Sequence, residues 1–96
     1  MDPAPTHAEV VRVATYDTDH GLHGWHDREE VVSVRLAAGT VVITANESGL
    51  RGLARELLGL AQRGVPDGTE VFLMSKGQAP TLASGSPSLR LVRMDP

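Results

Sequence analysis

The chain contains 96 residues and no cysteine, and 41% of its residues are hydrophobic. A chain of this length accommodates one domain with one core. Its single tryptophan, tyrosine and phenylalanine leave aliphatic side chains to fill that core. Without cysteine, disulfide bonds, thiolate metal sites and thiol catalysis are excluded.

The charge of the chain is unevenly distributed. The net charge is −3, but residues 1–30 carry seven acidic residues against two arginines, a net charge of −5. Residues 31–96 carry five acidic and seven basic residues, a net charge of +2. The acidic first third argues against nucleic acid as the ligand there and favours a partner with a basic surface.

Residues 1–7 are proline-rich and predict a flexible tail. The first residues, Met-Asp-Pro-Ala-Pro, have neither the basic nor the apolar region of a classical signal peptide. No apolar run approaches the roughly 18 residues of a membrane-spanning helix. We therefore expect a cytoplasmic protein without a membrane partner.

The strands are predicted from β-branched runs, alternation and turns. Residues 8–16 are rich in β-branched side chains, and residues 31–37 alternate apolar and polar ones. A tight turn at Ala38 and Gly39 then joins two strands into an antiparallel hairpin. Five strands are predicted in all, at residues 8–16, 31–37, 40–45, 69–75 and 88–94.

Residues 46–64 form the clearest pattern in the chain, N-E-S-G-L-R-G-L-A-R-E-L-L-G-L-A-Q-R-G. At about 100° per residue, the leucines and alanines fall within an arc of roughly 160°. Asn46 can cap the first free N–H groups, and Gly64 followed by Pro66 supplies a stop signal. We therefore predict a helix over about residues 47–63 whose leucine side packs on a sheet.

These elements predict a single α+β domain over residues 8–96, in the order β-β-β-α-β-β. The helix would cover one face of a mostly antiparallel sheet of four to five strands. The other face would carry apolar side chains that a loop or a second copy of the chain could cover, so a homodimer is possible. These side chains belong to Val31, Val42, Phe72, Met74 and Val92.

Gly52 and Gly59 interrupt the polar side of this helix, where each costs about 1 kcal/mol relative to alanine. Two interpretations remain open. Either they are tolerated surface glycines flanked by arginines, or a partner or a second copy packs closely against this bare stripe.

The most polar stretch, residues 17–30, reads D-T-D-H-G-L-H-G-W-H-D-R-E-E and predicts a long loop. Tryptophan is typical of interface anchors, and carboxylates around it suit the recognition of a basic protein. Alternatively, Trp25 closes over the sheet as a lid. The candidate partner-binding residues are Asp17, Asp19, Trp25, Asp27, Glu29 and Glu30.

His20, His23 and His26 lie three residues apart among aspartates, and both residue types bind zinc, nickel or iron. This spacing spreads them around a helix, and no ligand motif such as H-E-x-x-H is present, so no metal site is predicted. The chain also lacks a G-x-S-x-G, a G-x-G-x-x-G and a Walker sequence. We expect no catalytic residues, no cofactor and no enzymatic activity.

Residues 43–60, I-T-A-N-E-S-G-L-R-G-L-A-R-E-L-L-G-L, resemble the G-N-x-x-G-L-x-x-L-A-x-x-L-L-x-L block of the immunity protein 32 family of bacterial polymorphic toxin systems. Residues 66–73, P-D-G-T-E-V-F-L, are similar to that family's P-x-G-S/T-H-x-H-L. Residues 82–92, L-A-S-G-S-P-S-L-R-L-V, are similar to its L-x-x-G-S-x-x-L-x-I. The resemblance is carried most specifically by Asn46, Gly49, Gly68, Gly85 and Ser86.

The chain departs from the family pattern in one strand. Glu70 and Phe72 stand where the family has two histidines, and Met74 stands where an acidic residue would follow. Any function that those histidines have in relatives is therefore absent here.

The resemblance implies a small, non-catalytic, cytoplasmic bacterial protein that binds a cognate toxin and neutralises it. The acidic loop, with Trp25 as its apolar anchor, would then occupy a basic active-site cleft on a nuclease-like toxin. Two alternatives are an accessory or structural homodimer unrelated to toxin immunity, and a metal- or ligand-binding module that uses the loop from His20 to His26.

Overall fold

The computed structural model describes residues 4–22, 29–77 and 80–96. Within them the chain forms four strands and one helix in the order β-β-α-β-β. The elements are β1 (Val32–Ala37), β2 (Thr40–Ala45), α1 (Glu47–Leu60), β3 (Glu70–Leu73) and β4 (Leu89–Val92). The predicted α+β class and the single helix are confirmed, whereas the strand predicted at residues 8–16 is absent.

The predicted hairpin of β1 and β2 is confirmed, with an antiparallel register from Val32↔Ala45 to Ala37↔Thr40. Its two turn residues, Ala38 and Gly39, have positive φ angles of 51° and 81°. Positive φ angles at both central residues are characteristic of a type I′ turn, whose twist matches that of the flanking strands.

The strands β3 and β4 form a second antiparallel pair, from Glu70↔Val92 to Leu73↔Leu89. The structure therefore contains two sheets of two strands, and the single sheet of four to five strands is not confirmed. Residues 83–86 lie along the outer edge of β1, but they make only two bonds with it. Ala83 N–H donates to the Val32 carbonyl (2.7 Å), and Val34 N–H donates to the Ser86 hydroxyl (3.0 Å).

The sequence A-S-G-S-P at residues 83–87 explains why this edge does not extend the sheet. Gly85 has a φ of 87°, which turns the backbone away from an extended conformation. Pro87 has no N–H group to donate to a ladder. The Ser86 hydroxyl therefore accepts the Val34 N–H, in place of the backbone carbonyl that a continuing strand would provide.

The core is small and aliphatic, as the composition predicts. Buried Val32, Val34, Leu73 and Leu82 form its centre. The helix contributes Leu53, which packs against this cluster. Within the described residues, no helix has the length and apolar character needed to span a bilayer.

Both ends of α1 are fixed by side chains. As predicted, Asn46 is the N-cap, and its Oδ1 accepts the Gly49 N–H at 2.7 Å. The helix ends at Leu60, three residues before the predicted end. Arg93, from beyond β4, donates to the carbonyls of Leu60 (2.8 Å) and Gln62, which satisfies acceptors that a longer helix would have used.

The side of α1 that faces the protein differs from the prediction. The predicted leucine side is only partly covered: Leu60 is buried and Leu53 packs against the core, but Leu50, Leu57 and Leu58 are exposed at 55, 53 and 48%. The helix also buries Gly49, Gly52 and Gly59. The helix therefore contacts the rest of the chain mainly through the side that carries its glycines.

The N-terminal residues cover part of this glycine side, which explains the missing first strand. Gln62 accepts the Tyr16 N–H at Oε1 (2.9 Å) and donates from Nε2 to the Ala14 carbonyl (3.0 Å). Arg55 donates to the Arg12 carbonyl at 3.3 Å. Side chains of α1 and its C-terminal flank thus bind backbone groups that a sheet would otherwise pair.

Candidate partner-binding surface

The first two candidate residues, Asp17 and Asp19, lie in a closed turn. Gly21 N–H donates to the Asp17 carbonyl at 2.6 Å, and Asp17 N–H donates back to the Gly21 carbonyl at 3.3 Å. The Asp17 carboxylate accepts the Asp19 N–H (2.8 Å) and lies 2.9 Å from His20 Nδ1. Asp17 therefore shapes the turn, and the exposed Asp19 is displayed on it.

This turn lies beside the C-terminal end of α1. Immediately before it, Tyr16 is bound to Gln62, and immediately after it Leu22 lies near Gly59. A methyl group at Gly59 would be in ordinary contact with Leu22 at 4.0 Å.

The last two candidate residues, Glu29 and Glu30, lie near the N-terminal half of α1. Asn46 Nδ2 donates to the Glu29 carbonyl at 2.7 Å, and the Glu29 side chain is exposed. Glu30 lies directly over Gly52, where any added Cβ would overlap its carboxylate. At 1.5 Å per residue, Gly52 and Gln62 are about 15 Å apart along the helical path. The described candidate carboxylates, Asp17, Asp19, Glu29 and Glu30, therefore lie near two ends of α1 rather than in one cluster.

Glu30 differs from the other candidates because its side chain is only 8% exposed. It forms an ion pair with Arg55, whose side chain is 12% exposed, with an N–O distance of 3.5 Å. A buried ion pair holds its two segments in a defined relation because either charge alone would be costly to bury. The other two candidates, Trp25 and Asp27, lie outside the described residues.

A second group of charged side chains surrounds Arg51 near the N-terminus of α1. The sequence analysis did not identify this cluster. Arg51 forms ion pairs with Glu47 on its own helix and with Glu9, the latter at 3.0 Å. Glu47 first, and Glu9 second, raise the pKa of Arg51 above its ordinary value. The i,i+4 spacing identifies the first pair, but Glu9 is 42 residues away in sequence and leaves no local signal.

A shallow depression adjoins this group. It has a volume of about 430 Å³, and its lining includes Glu29, Glu47 and Arg51. Together with Glu9, the lining gives this end of α1 three exposed carboxylates and the guanidinium of Arg51, while the guanidinium of Arg55, which also lines the depression, is paired with the buried Glu30. The exposed charge at this end of the helix is therefore acidic.

The histidine-rich part of the loop is described only at its first residue. His20 lies against Asp17, as noted above, and His23 and His26 lie outside the described residues. Among the residues that the structure describes, no group of three or more histidine, aspartate and glutamate side chains is placed to hold a metal ion.

The described residues thus define a small α+β protein with exposed carboxylates near both ends of its helix. The model of the family immunity protein 32 matches residues 40–94, which is more than half of the chain. The chain belongs to the immunity protein 32 family. No curated protein and no solved structure matches it.

The residues that carry the family pattern have structural roles in this chain. Asn46 caps α1, and Gly49 lies so close to β1 that an added Cβ would overlap the Val31 carbonyl oxygen. Gly68 and Gly85 have positive φ angles of 85° and 87°, and the buried Ser86 binds β1. These five positions of the pattern therefore support the scaffold.

Proposed function

We propose that this chain is a bacterial immunity protein that binds a cognate toxin in the cytoplasm and neutralises it without catalysis. Membership of the immunity protein 32 family is the observation that carries this proposal. The most specific positions of the family pattern, Asn46, Gly49, Gly68, Gly85 and Ser86, support the scaffold, so we place recognition of the partner elsewhere. The acidic segment that precedes the matched region is the best candidate.

The proposed toxin-binding surface consists of the exposed carboxylates of residues 17–30 together with Trp25. Asp17 and Asp19 would contact the toxin from one end of α1, and Glu29 from the other, with Asp27 between them in sequence. A partner with a basic surface complements this arrangement. Charge complementarity accelerates encounter, and a desolvated tryptophan slows release.

Glu30 has a positioning role in this proposal. Its burial with Arg55 leaves little of the carboxylate for a toxin to contact, but the ion pair fixes the end of the acidic segment against α1. Loss of Glu30 should therefore disturb the acidic surface indirectly.

The proposal predicts a toxin gene next to this one; the test is co-expression with that toxin, followed by binding kinetics with purified proteins. The double variant Asp19→Lys, Glu29→Lys reverses two exposed charges. The control, Glu70→Lys with Asp95→Lys, makes the same change in net charge far from the acidic segment in sequence; because it also breaks ion pairs with Arg90 and Arg93, its folding is checked by circular dichroism before binding is measured. We expect the first variant to lose protection and to bind about tenfold or more weakly, mainly through slower association.

Trp25→Ala separates the two parts of the surface, because loss of an anchor should accelerate dissociation and leave association nearly unchanged. If the toxin binds all variants equally, the acidic segment is not the interface. If the unaltered chain neither binds nor protects against the neighbouring toxin, the immunity function itself is refuted.

A further inference from the structure

Gln62 follows the C-terminal end of α1, and its side-chain amide uses its oxygen and both of its N–H donors. Oε1 accepts the Tyr16 N–H at 2.9 Å. Nε2 donates to the Ala14 carbonyl at 3.0 Å and to the Gly59 carbonyl at 3.2 Å. The opposite orientation of the amide would place its N–H groups against another N–H donor. The surroundings of Gln62 therefore fix the direction in which its amide points.

The backbone of Gln62 is also held by the rest of the fold. Its carbonyl accepts a hydrogen bond from Arg93, which follows β4, and another from the Val65 N–H at 3.3 Å. Val65 is only 2% exposed. Gln62 thus connects a well-packed end of α1 with backbone groups that lie 46 and 48 residues away in sequence.

The turn formed by residues 17–21 lies between two contacts with this end of α1. Tyr16, immediately before the turn, is bound by Gln62. Leu22, immediately after it, lies 4.0 Å from the position of a methyl group placed on Gly59, which is an ordinary packing distance. The turn is therefore held against the helix on both of its sides.

The segment that leads into this turn is held through its backbone. Arg55 donates to the Arg12 carbonyl at 3.3 Å, and Gln62 binds backbone groups two and four residues further along the chain. Residues 8–16 belong to no strand, and all of them are exposed or half-buried. Hydrogen bonds from the helix and its flank, rather than a sheet ladder or a buried side chain, therefore determine where this segment runs.

We infer that Gln62 is a positioning residue for toxin recognition, and this inference rests on the proposed immunity function. Its amide fixes the turn at residues 17–21 against the C-terminal end of α1, so that the exposed Asp19 is presented to the toxin in one place. Gln62 acts through the turn and not through a contact with the toxin. A binding segment that is already ordered loses less conformational freedom on association, which increases affinity.

The substitution Gln62→Leu removes the amide, retains a side chain of similar size and leaves the net charge unchanged. The turn keeps its own hydrogen bonds, which join Asp17 to Gly21 and the Asp19 N–H to the Asp17 carboxylate. Only the placement of the turn relative to α1 is lost. We expect the affinity for the toxin to fall about tenfold. Most of this loss should be in the dissociation rate, because the charges that steer the encounter are unchanged.

The control variant is Ser75→Ala, which also removes a side-chain hydrogen bond to a backbone carbonyl. This bond, to Ser86 at 2.7 Å, involves no residue of the acidic segment. Urea unfolding first establishes that both variants are folded under the conditions of the binding assay. Ser75→Ala should then bind the toxin as tightly as the unaltered chain.

A double-mutant cycle with Asp19→Asn distinguishes positioning from a general loss of stability. If Gln62 acts through the turn, Gln62→Leu should weaken binding about tenfold in the unaltered chain, but less than about threefold when Asp19→Asn is also present. A purely structural role would give the same factor in both backgrounds, and that result would overturn the inference.

Amide hydrogen exchange tests the contact without a toxin. The Tyr16 N–H should exchange at least about tenfold more slowly in the unaltered chain than in Gln62→Leu, because exchange requires its hydrogen bond to open. Equal exchange rates in the two chains would overturn the inference. So would a Gln62→Leu variant that binds the toxin as tightly as the unaltered chain, and the immunity function would then still stand. If the unaltered chain itself does not bind the toxin, the proposed function fails and the inference fails with it.

Discussion

Glycine-to-alanine substitutions at three positions of α1 should have three different effects on the stability of the chain. Replacing an exposed helical glycine by alanine gains about 1 kcal/mol. At Gly59 the added methyl group would lie 3.8 Å from Val13, an ordinary contact, so Gly59→Ala should raise the free energy of unfolding by up to about 1 kcal/mol. At Gly52 and Gly49 the methyl group meets atoms that are held in place.

At Gly52 the methyl group would displace the Glu30 carboxylate from its buried pair with Arg55. Disturbing a buried charged hydrogen-bonding group costs about 1–3 kcal/mol, so Gly52→Ala should be destabilising by about 1–2 kcal/mol after the helix gain. At Gly49 the obstacle is the backbone carbonyl of Val31, which cannot rotate away. Overpacking of this kind costs typically 1–3 kcal/mol and occasionally more, so Gly49→Ala should be the least stable of the three.

Urea unfolding of the three variants measures this order of stability. The decisive comparison is Gly52→Ala made in a chain that also carries Glu30→Ala. Without the Glu30 carboxylate, the methyl group at Gly52 has room, so Gly52→Ala should become stabilising in that background. The reasoning is refuted if Gly52→Ala and Gly59→Ala stabilise the unaltered chain equally, because Gly52 would then be an ordinary surface glycine.

Three further outcomes are expected. Asn46→Ala removes acceptors for Gly49 and Val31 N–H groups and should cost about 2 kcal/mol, near the upper end for an N-cap; a loss within 0.5 kcal/mol in urea unfolding would contradict this. Ser86→Ala leaves the buried Val34 N–H without its acceptor and should cost about 1–3 kcal/mol, whereas Ser88→Ala, at an exposed position, should be neutral. If the chain forms the homodimer that its apolar faces allow, its melting temperature should rise with protein concentration. Calorimetry at two concentrations tests this, and an unchanged melting temperature would contradict dimerisation.

The sequence predicts the local structure of this chain well. Alternation identifies β1, and the Ala38–Gly39 turn sets the register of its hairpin. The N-cap at Asn46 is visible because its side chain can accept bonds from the first free N–H groups. These features depend on interactions between residues that are close in sequence, and local patterns are sufficient for them.

The features that the sequence does not predict depend on contacts between distant residues. Arg93 ends α1 early, but it follows Leu60 by 33 residues. Residues 8–16 have the composition of a strand, yet Arg55 and Gln62 bind their backbone along the helix instead. Among the candidate site residues, Glu30 looks in sequence like its acidic neighbours. The only sequence feature related to its burial is Gly52, whose missing side chain leaves room for the Glu30 carboxylate.

The orientation of α1 is the clearest case, and it connects the fold with the proposed function. A hydrophobic stripe shows that one side of a helix avoids water, but it does not specify which molecule covers that side. Glycines at 49, 52 and 59 allow groups of the same chain to approach α1 from the other side, and the approach at Gly52 places the Glu30 carboxylate against the helix. The side that carries Leu50, Leu57 and Leu58 remains exposed.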